Sequence, residues 1–217
     1  MEQKSSELKQ GTSAWLESRL GRVTASRVAD VVAKTKSGDS ASRGNYMAQL
    51  VVERLTNTQE ESYSNEYMDW GTEQEPFARA AYEAAQNVLV DEVGMITHPR
   101  IEMSGASPDG LVGDDGLVEI KCPKTATHIE TLLSKTVPGK YNIQMQWQMA
   151  CTDRSWCDFV SFDPRMPEGL QTFIKRVPRD DALIKTLEDE IVKFLGEVDS
   201  KLEQLNSQLK EANVQTY

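Results

Sequence analysis

At 217 residues, with 39% hydrophobic and 27% charged positions, the chain is long enough for one domain with a substantial core and reads as a soluble globular protein. No apolar run approaches the roughly 20 residues of a membrane-spanning helix, and residues 1–10 are polar, so no membrane partner and a cytoplasmic location are expected. The three cysteines, Cys122, Cys151 and Cys157, are an odd number with no Cys-x-x-Cys pair, so neither a disulfide framework nor a zinc or iron–sulfur site is suggested, and they read as reduced, buried small hydrophobes.

The net charge of −10 speaks against nucleic acid as a sum but not as a distribution. Residues 19–43 hold six basic side chains (Arg19, Arg22, Arg27, Lys34, Lys36, Arg43) against two acidic ones, whereas residues 180–203 hold three basic against eight acidic. A basic face toward DNA and an acidic face toward solvent fit an enclosed site.

Taken in chain order, residues 1–11 are polar and expected to fray. Residues 15–21 read as a short helix closed by Gly21, and Thr24 as the cap of a second helix carrying Ala25, Val28, Ala29, Val31 and Val32. Arg19 and Ser26 flank the junction. Local pattern allows a surface ion pair and a first-turn cap, or a phosphate site built from a helix N-terminus and a guanidinium. Residues 34–45 read as a polar, basic loop able to order on DNA, and residues 46–55 as a helix. A polar loop runs through residue 65, and Tyr67-Met68-Asp69-Trp70-Gly71 leads into a helix over 73–85. Glu75 falls in the first turn expected for that helix, favoured there by the dipole or serving a metal site. Met68 and Trp70 suit the core or a contact surface.

Runs at 88–96 and 101–106 read as strands that deliver the chain to Ser107-Pro108-Asp109-Gly110. Gly113-Asp114-Asp115-Gly116 is turn chemistry, with Asp-Gly suited to positive φ, and Leu117-Val118-Glu119-Ile120-Lys121 is a strand. In that hairpin Asp109 returns beside Glu119, and Glu119 and Lys121, two apart, share a face. Two carboxylates and one ammonium then converge. Such a cluster suits a hard divalent cation with oxygen ligands, which lowers the pKa of water for attack on phosphorus. Lys121 would orient or deprotonate that water, or neutralise charge on the phosphate. An ordinary surface hairpin with a solvated ion pair fits the short pattern too.

Past Pro123, which ends the strand, a loop or irregular helical segment reaches Gly139. A helix over 141–151 carries Gln144, Gln146 and Gln148. Gln144 is a polar surface residue or part of a site. Strands at 156–162 and 170–177 flank Asp163-Pro164-Arg165, and a long amphipathic helix covers 180–210, packing on its own core or reaching a neighbouring subunit. The order of elements implies an α/β fold with a mixed central sheet flanked by helices, in a single domain spanning 1–217.

Six ordered blocks carry a resemblance: Trp15-x-x-x-Arg19-Leu20-Gly21-x-x-Thr24-Ala25-Ser26, Trp70-Gly71-x-x-x-Glu75, Ser107-Pro108-Asp109-Gly110-Leu111, Glu119-x-Lys121-Cys122-Pro123, Gln144-x-Gln146 and Asp163-Pro164-Arg165-Met166. Together they resemble lambda exonuclease and the YqaJ-type viral recombinases, within the restriction-endonuclease-like nucleases. The resemblance implies a Mg²⁺-dependent exonuclease that degrades the 5′-ended strand of linear double-stranded DNA to mononucleotides and leaves a 3′ single strand, in a phage-infected or prophage-carrying bacterial cell. Two Mg²⁺ ions per site are implied, with Mn²⁺ as a substitute. Asp109, Glu119 and the Ile120 carbonyl would be metal ligands, Glu75 would stand in the metal shell, and Lys121 would act on the water.

Arg19, Ser26, Ser107 and Gln144 would hold the 5′-phosphate, Met68 would be an apolar wedge between terminal base pairs, and Lys36 a loop contact to DNA. A toroidal homotrimer and a single-strand annealing protein are the implied partners. Glu66 departs from the basic residue expected near the wedge, and Gln148 from the tyrosine that many related nucleases carry four residues after the glutamine. A restriction-type endonuclease or Cas4-like nuclease shares the hairpin, although the latter needs iron–sulfur cysteines, and a non-catalytic end-binding protein is the third reading.

Overall fold

The computed structural model describes residues 9–36, 38–59 and 66–214. Helix α1 (Ser13–Arg19) opens on Thr12, whose hydroxyl accepts from the Trp15 N–H, and the chain leaves it through Gly21 at φ +65°, a left-handed conformation that suits glycine. Strand β1 (Val23–Thr24) follows, then a 3₁₀ turn (Ala25–Arg27) and the single-turn helix α2 (Val28–Val31). The helix expected after Thr24 is therefore interrupted. Thr24 pairs in a parallel ladder instead of capping, which keeps the backbone extended up to the turn.

The polar 34–45 stretch is not a loop throughout. Strands β2 (Lys34–Thr35) and β3 (Gly38–Asp39) form an exposed hairpin, and Ser40 then caps helix α3 (Ala41–Thr56) by accepting from the Arg43 N–H. Helix α4 (Glu66–Gln86) likewise begins earlier than expected and runs through Gly71 and Pro76. Its start removes Glu75 from a first turn, so the dipole reading of that residue does not apply.

Strands β4 (Val90–Asp91) and β5 (Ile96–Thr97) divide the apolar run expected as one strand, because they join different sheets. Strands β6 (Ser104–Ala106), β7 (Gly110–Val112) and β8 (Gly116–Lys121) come next, followed by α5 (Thr125–Ser134), a regular helix where an irregular segment was expected, and α6 (Gly139–Thr152). Strands β9 (Trp156–Phe162) and β10 (Thr172–Pro178) and the long helix α7 (Asp181–Val214) complete the chain.

The main sheet has the order β10-β9-β8-β7-β4, with β8 and β9 parallel and the other pairs antiparallel. A smaller sheet, β1-β6-β5, stands beside it. The mixed α/β class read from the sequence is thus the class observed. Alternation along β8 sends Val118 and Ile120 into a layer with Ala78 and Tyr82 of α4, and Leu117 into the opposite layer with Met145 and Met149 of α6. Glu119 and Lys121 share the α6 side with Leu117.

Positive φ in the hairpin turn sits at Gly113, not at the Asp-Gly glycine. Gly116 is required for space, since a Cβ there would lie 2.1 Å from the Trp156 ring. Helix α7 buries Ile184, Leu187, Ile191, Phe194 and Val198 against α2, α3 and α6. The largest of these contribute about 1.5–3 kcal/mol each by removal from water. Its outer half differs: Leu205 and Leu209 are exposed. Among the described residues no helix is long and apolar enough to cross a membrane, and all three thiols are free.

Candidate active site

The hairpin register pairs Gly110 with Val118 and Leu111 with Leu117, which sets Asp109 opposite Glu119 at the open end. Asp109 Oδ2 accepts from the Ile120 N–H at 2.6 Å, so the residue before β7 is tied to the edge of β8 by the backbone itself. Glu119 has no exposed surface, and its carboxylate is ion-paired through Oε1 with the Lys121 ammonium. Two amides from α6 complete its surroundings: Gln144 Nε2 donates to Oε1 at 2.6 Å and Gln148 Nε2 to Oε2 at 2.5 Å. Helical spacing of four residues places both amides on the face that meets β8.

Burial pushes the Asp109 carboxyl well above the usual carboxylate range, and the adjacent Glu119 charge pushes in the same direction. Burial alone would lower the Lys121 pKa, but Glu119 and Asp109 outweigh it and hold the ammonium charged, above the ordinary lysine value. Two carboxylates crowded in this way are both ionised most readily with a cation between them. The carboxylate oxygens of the two side chains therefore fit a hard divalent cation such as Mg²⁺ or Mn²⁺ better than a soft metal. Among the described residues no group of three His, Cys, Asp or Glu side chains stands arranged around a single metal position. Glu75 approaches from the α4 layer, close enough to influence Asp109, but its carboxylate is turned to Arg79 Nη2 at 2.7 Å.

A second cluster adjoins the first. Ser107 Oγ accepts from Arg19 Nη1 at 3.1 Å and from the Trp15 indole N–H at 2.9 Å, and the guanidinium lies 4.4 Å from the Trp15 ring centroid. Burial draws the Arg19 pKa below the ordinary arginine value, yet a guanidinium stays charged at neutral pH. Arg19 and Ser26 line a cavity of about 290 Å³ that also touches Arg22, Arg27 and Tyr46. Ser26 stands 3.4 Å from the Thr24 hydroxyl. Ser107 is not among the cavity lining, and neither is Gln144, whose amide is given to Glu119.

Lys36 is exposed beside the β2–β3 hairpin. Met68 lies on α4, and its side chain is outside the described residues. Sequence reasoning missed three participants: Gln148 as a partner of Glu119, Trp15 as a donor to Ser107, and Arg79 as the partner of Glu75. Each lies four residues from a recognised position in its own helix, at Gln144, Arg19 and Glu75, and that spacing was the available signal.

The sequence profile of the YqaJ-like viral recombinase domain matches residues 14–155, which is more than half of the chain and includes both clusters. The chain belongs to this family. The YqaJ-like domain is also similar to LHK-Exo, an alkaline exonuclease from Laribacter hongkongensis, at 53% identity and a TM-score of 0.87 over 93% of this chain and all of that one. A second structure of LHK-Exo, in complex with dAMP, matches at 54% identity with the same TM-score, again over 93% of this chain and all of that one. A phage-related exonuclease from Haemophilus somnus shares the fold at 16% identity, with a TM-score of 0.70 over 85% of this chain and 96% of that one.

Uncharacterized protein R354 of Acanthamoeba polyphaga mimivirus is 26% identical over 124 residues, which are 51% of this chain, and the chain spans only 23% of that protein's length. The restriction-endonuclease-like α/β fold and the exonuclease class expected from the sequence agree with these relatives.

Proposed function

We propose that this YqaJ-like exonuclease degrades the 5′-ended strand of linear double-stranded DNA in the presence of Mg²⁺, releasing 5′-mononucleotides and leaving a 3′ single strand. The observation that carries the reading is the tripeptide Ser107-Pro108-Asp109. It ties the Arg19–Ser107 pair to the Asp109–Glu119 pair, and two residues of extended chain span no more than about 7 Å. A terminal phosphate held by Arg19 and Ser107, with Ser26 at the cavity wall, would set the next phosphodiester against the carboxylates. Cleavage then counts from the end.

In this reading Asp109, Glu119 and the Ile120 carbonyl hold the divalent cation, Mn²⁺ substituting for Mg²⁺, with a second ion shared with Glu75 once its carboxylate leaves Arg79. The bound cation supplies an activated water and charge neutralisation at phosphorus. Lys121, kept protonated by its two carboxylate neighbours, orients the attacking water and stabilises negative charge as it develops. Gln144, whose amide is given to Glu119 here, would have to turn from that carboxylate to reach the terminal phosphate, and Lys36 and Met68 would contact the incoming duplex. The dAMP complex of LHK-Exo supports a mononucleotide product. The reading extends to a single domain over 1–217, a homotrimer ring around DNA and collaboration with a single-strand annealing protein in recombination.

The test is release of nucleotides from linear duplex labelled at the 5′ or the 3′ end, with and without Mg²⁺ and a 5′-phosphate, using closed circular DNA and Lys121→Ala as controls. Loss of the 5′ label as mononucleotide, requiring Mg²⁺, Lys121 and a free end, is expected. Cutting of circular DNA would reassign the site to an endonuclease, and tight end binding without cleavage would reassign it to an end-binding protein.

A further inference from the structure

Gln148 has no exposed surface and sits behind the reacting face of Glu119, between α6 and the main sheet. An ionised carboxylate can only accept, so the amide must present its NH₂ to Glu119 and its oxygen elsewhere. That oxygen faces the buried Cys157 thiol on β9, with Sγ 3.9 Å away. The amide is thus held at both ends, by a carboxylate on one strand and a thiol on the next.

We propose that Gln148 is a positioning residue: by fixing Oε2 of Glu119 it selects the carboxylate orientation in which Asp109 and Glu119 together take up a divalent cation. Gln144 and Lys121 both act on Oε1 and are less buried than Gln148. Without Gln148, no amide holds Oε2, and the carboxylate is anchored through Oε1 alone. Partners behind a ligand of this kind alter metal affinity by about 10- to 100-fold. The proposal rests on the reading that this carboxylate pair holds the cation.

The experiment is Mn²⁺ titration of the full chain without DNA, by calorimetry or by electron paramagnetic resonance of free Mn²⁺, with melting followed by circular dichroism. Gln148→Met keeps the volume and removes the donor, whereas Gln148→Asn keeps the amide but withdraws it by one methylene. Whichever of the two folds, an affinity about tenfold or more below the parent is expected, together with a lower melting temperature because the buried Glu119 carboxylate loses a donor. Affinity within twofold of the parent overturns the proposal, as does a lowered melting temperature with unchanged affinity, the signature of a packing role. If the parent binds no Mn²⁺, or Asp109→Asn leaves binding unchanged, the cation reading and this proposal fall together. If the parent binds Mn²⁺ and the Gln148 variants lose it while no DNA is degraded, the proposal stands and the exonuclease reading alone fails.

Discussion

Arg19→Met should abolish preference for a 5′-phosphorylated end while leaving turnover of a 5′-hydroxyl end nearly unchanged. In the structure the guanidinium is stacked on Trp15 and commits Nη1 to Ser107, so its planar fork is already oriented and little side-chain entropy is left to lose. A hydrogen bond to a charged group contributes about 1.5–3 kcal/mol, and two to one phosphate, partly screened at a half-open cavity, about 3 kcal/mol net. At 1.4 kcal/mol per decade that is about 100-fold in kcat/KM between phosphorylated and hydroxyl ends. The assay is kcat/KM on two duplexes differing only in the terminal phosphate, for the parent, Arg19→Met and Arg19→Lys. The ratio should fall from about 100 toward 1 in the methionine variant and lie between in the lysine variant, which keeps the charge but loses the fork. Because the ratio cancels any general loss of folded enzyme, an equal fall on both substrates would refute the assignment.

Lys121→Ala should lower kcat by about 100- to 1000-fold, the range for loss of one preorganised donor, with Mn²⁺ binding and DNA-end binding retained in calorimetric titrations. Tyr82 donates to Asp158 at 2.8 Å, and Arg176 holds the same carboxylate with Nε and Nη2 both at 2.9 Å. Tyr82→Phe should cost about 1 kcal/mol, while Asp158→Ala, which strands a buried phenol, should cost about 3 kcal/mol by urea denaturation. Burial pushes the Asp163 carboxyl up, but hydrogen bonds from Arg165 and Thr125 outweigh it and bring it down to about 2. A depressed carboxylate stabilises the fold fully above its unfolded value, near 3.9, and loses that contribution as pH falls toward 2. Melting temperature should therefore decline over that window, and Asp163→Asn should show a shallower decline measured by circular dichroism.

Much of the fold was legible because its strongest signals are periodic or punctuated. The long helix α7 follows its three-and-four spacing, and β9 coincides with an apolar run bounded by turn residues. Failures occurred where partners distant in sequence decide the local structure. Thr24 is extended because Gly105 pairs with it, and the 88–96 run splits because β7 and β6 draw its halves into separate sheets. Helix α4 absorbed Gly71, a residue whose cost of about 1 kcal/mol tertiary packing can meet. In the site, Asp109, Glu119 and Lys121 could be placed from hairpin arithmetic alone. Gln148 was harder to place: its spacing of four put it on one face of α6 with Gln144, but only packing decides that this face meets β8.

Strand β8 is bonded on both edges, covered on both faces, and buried over nearly its whole length, whereas β2 and β3 are exposed two-residue strands bonded to each other. Amide protons on β8 should therefore exchange only on global opening, and those of the basic hairpin through small local excursions. The molecule divides its mechanical compliance accordingly. The exposed hairpin can yield to whatever it touches, and the strand bearing Glu119 and Lys121 need not move for it to do so.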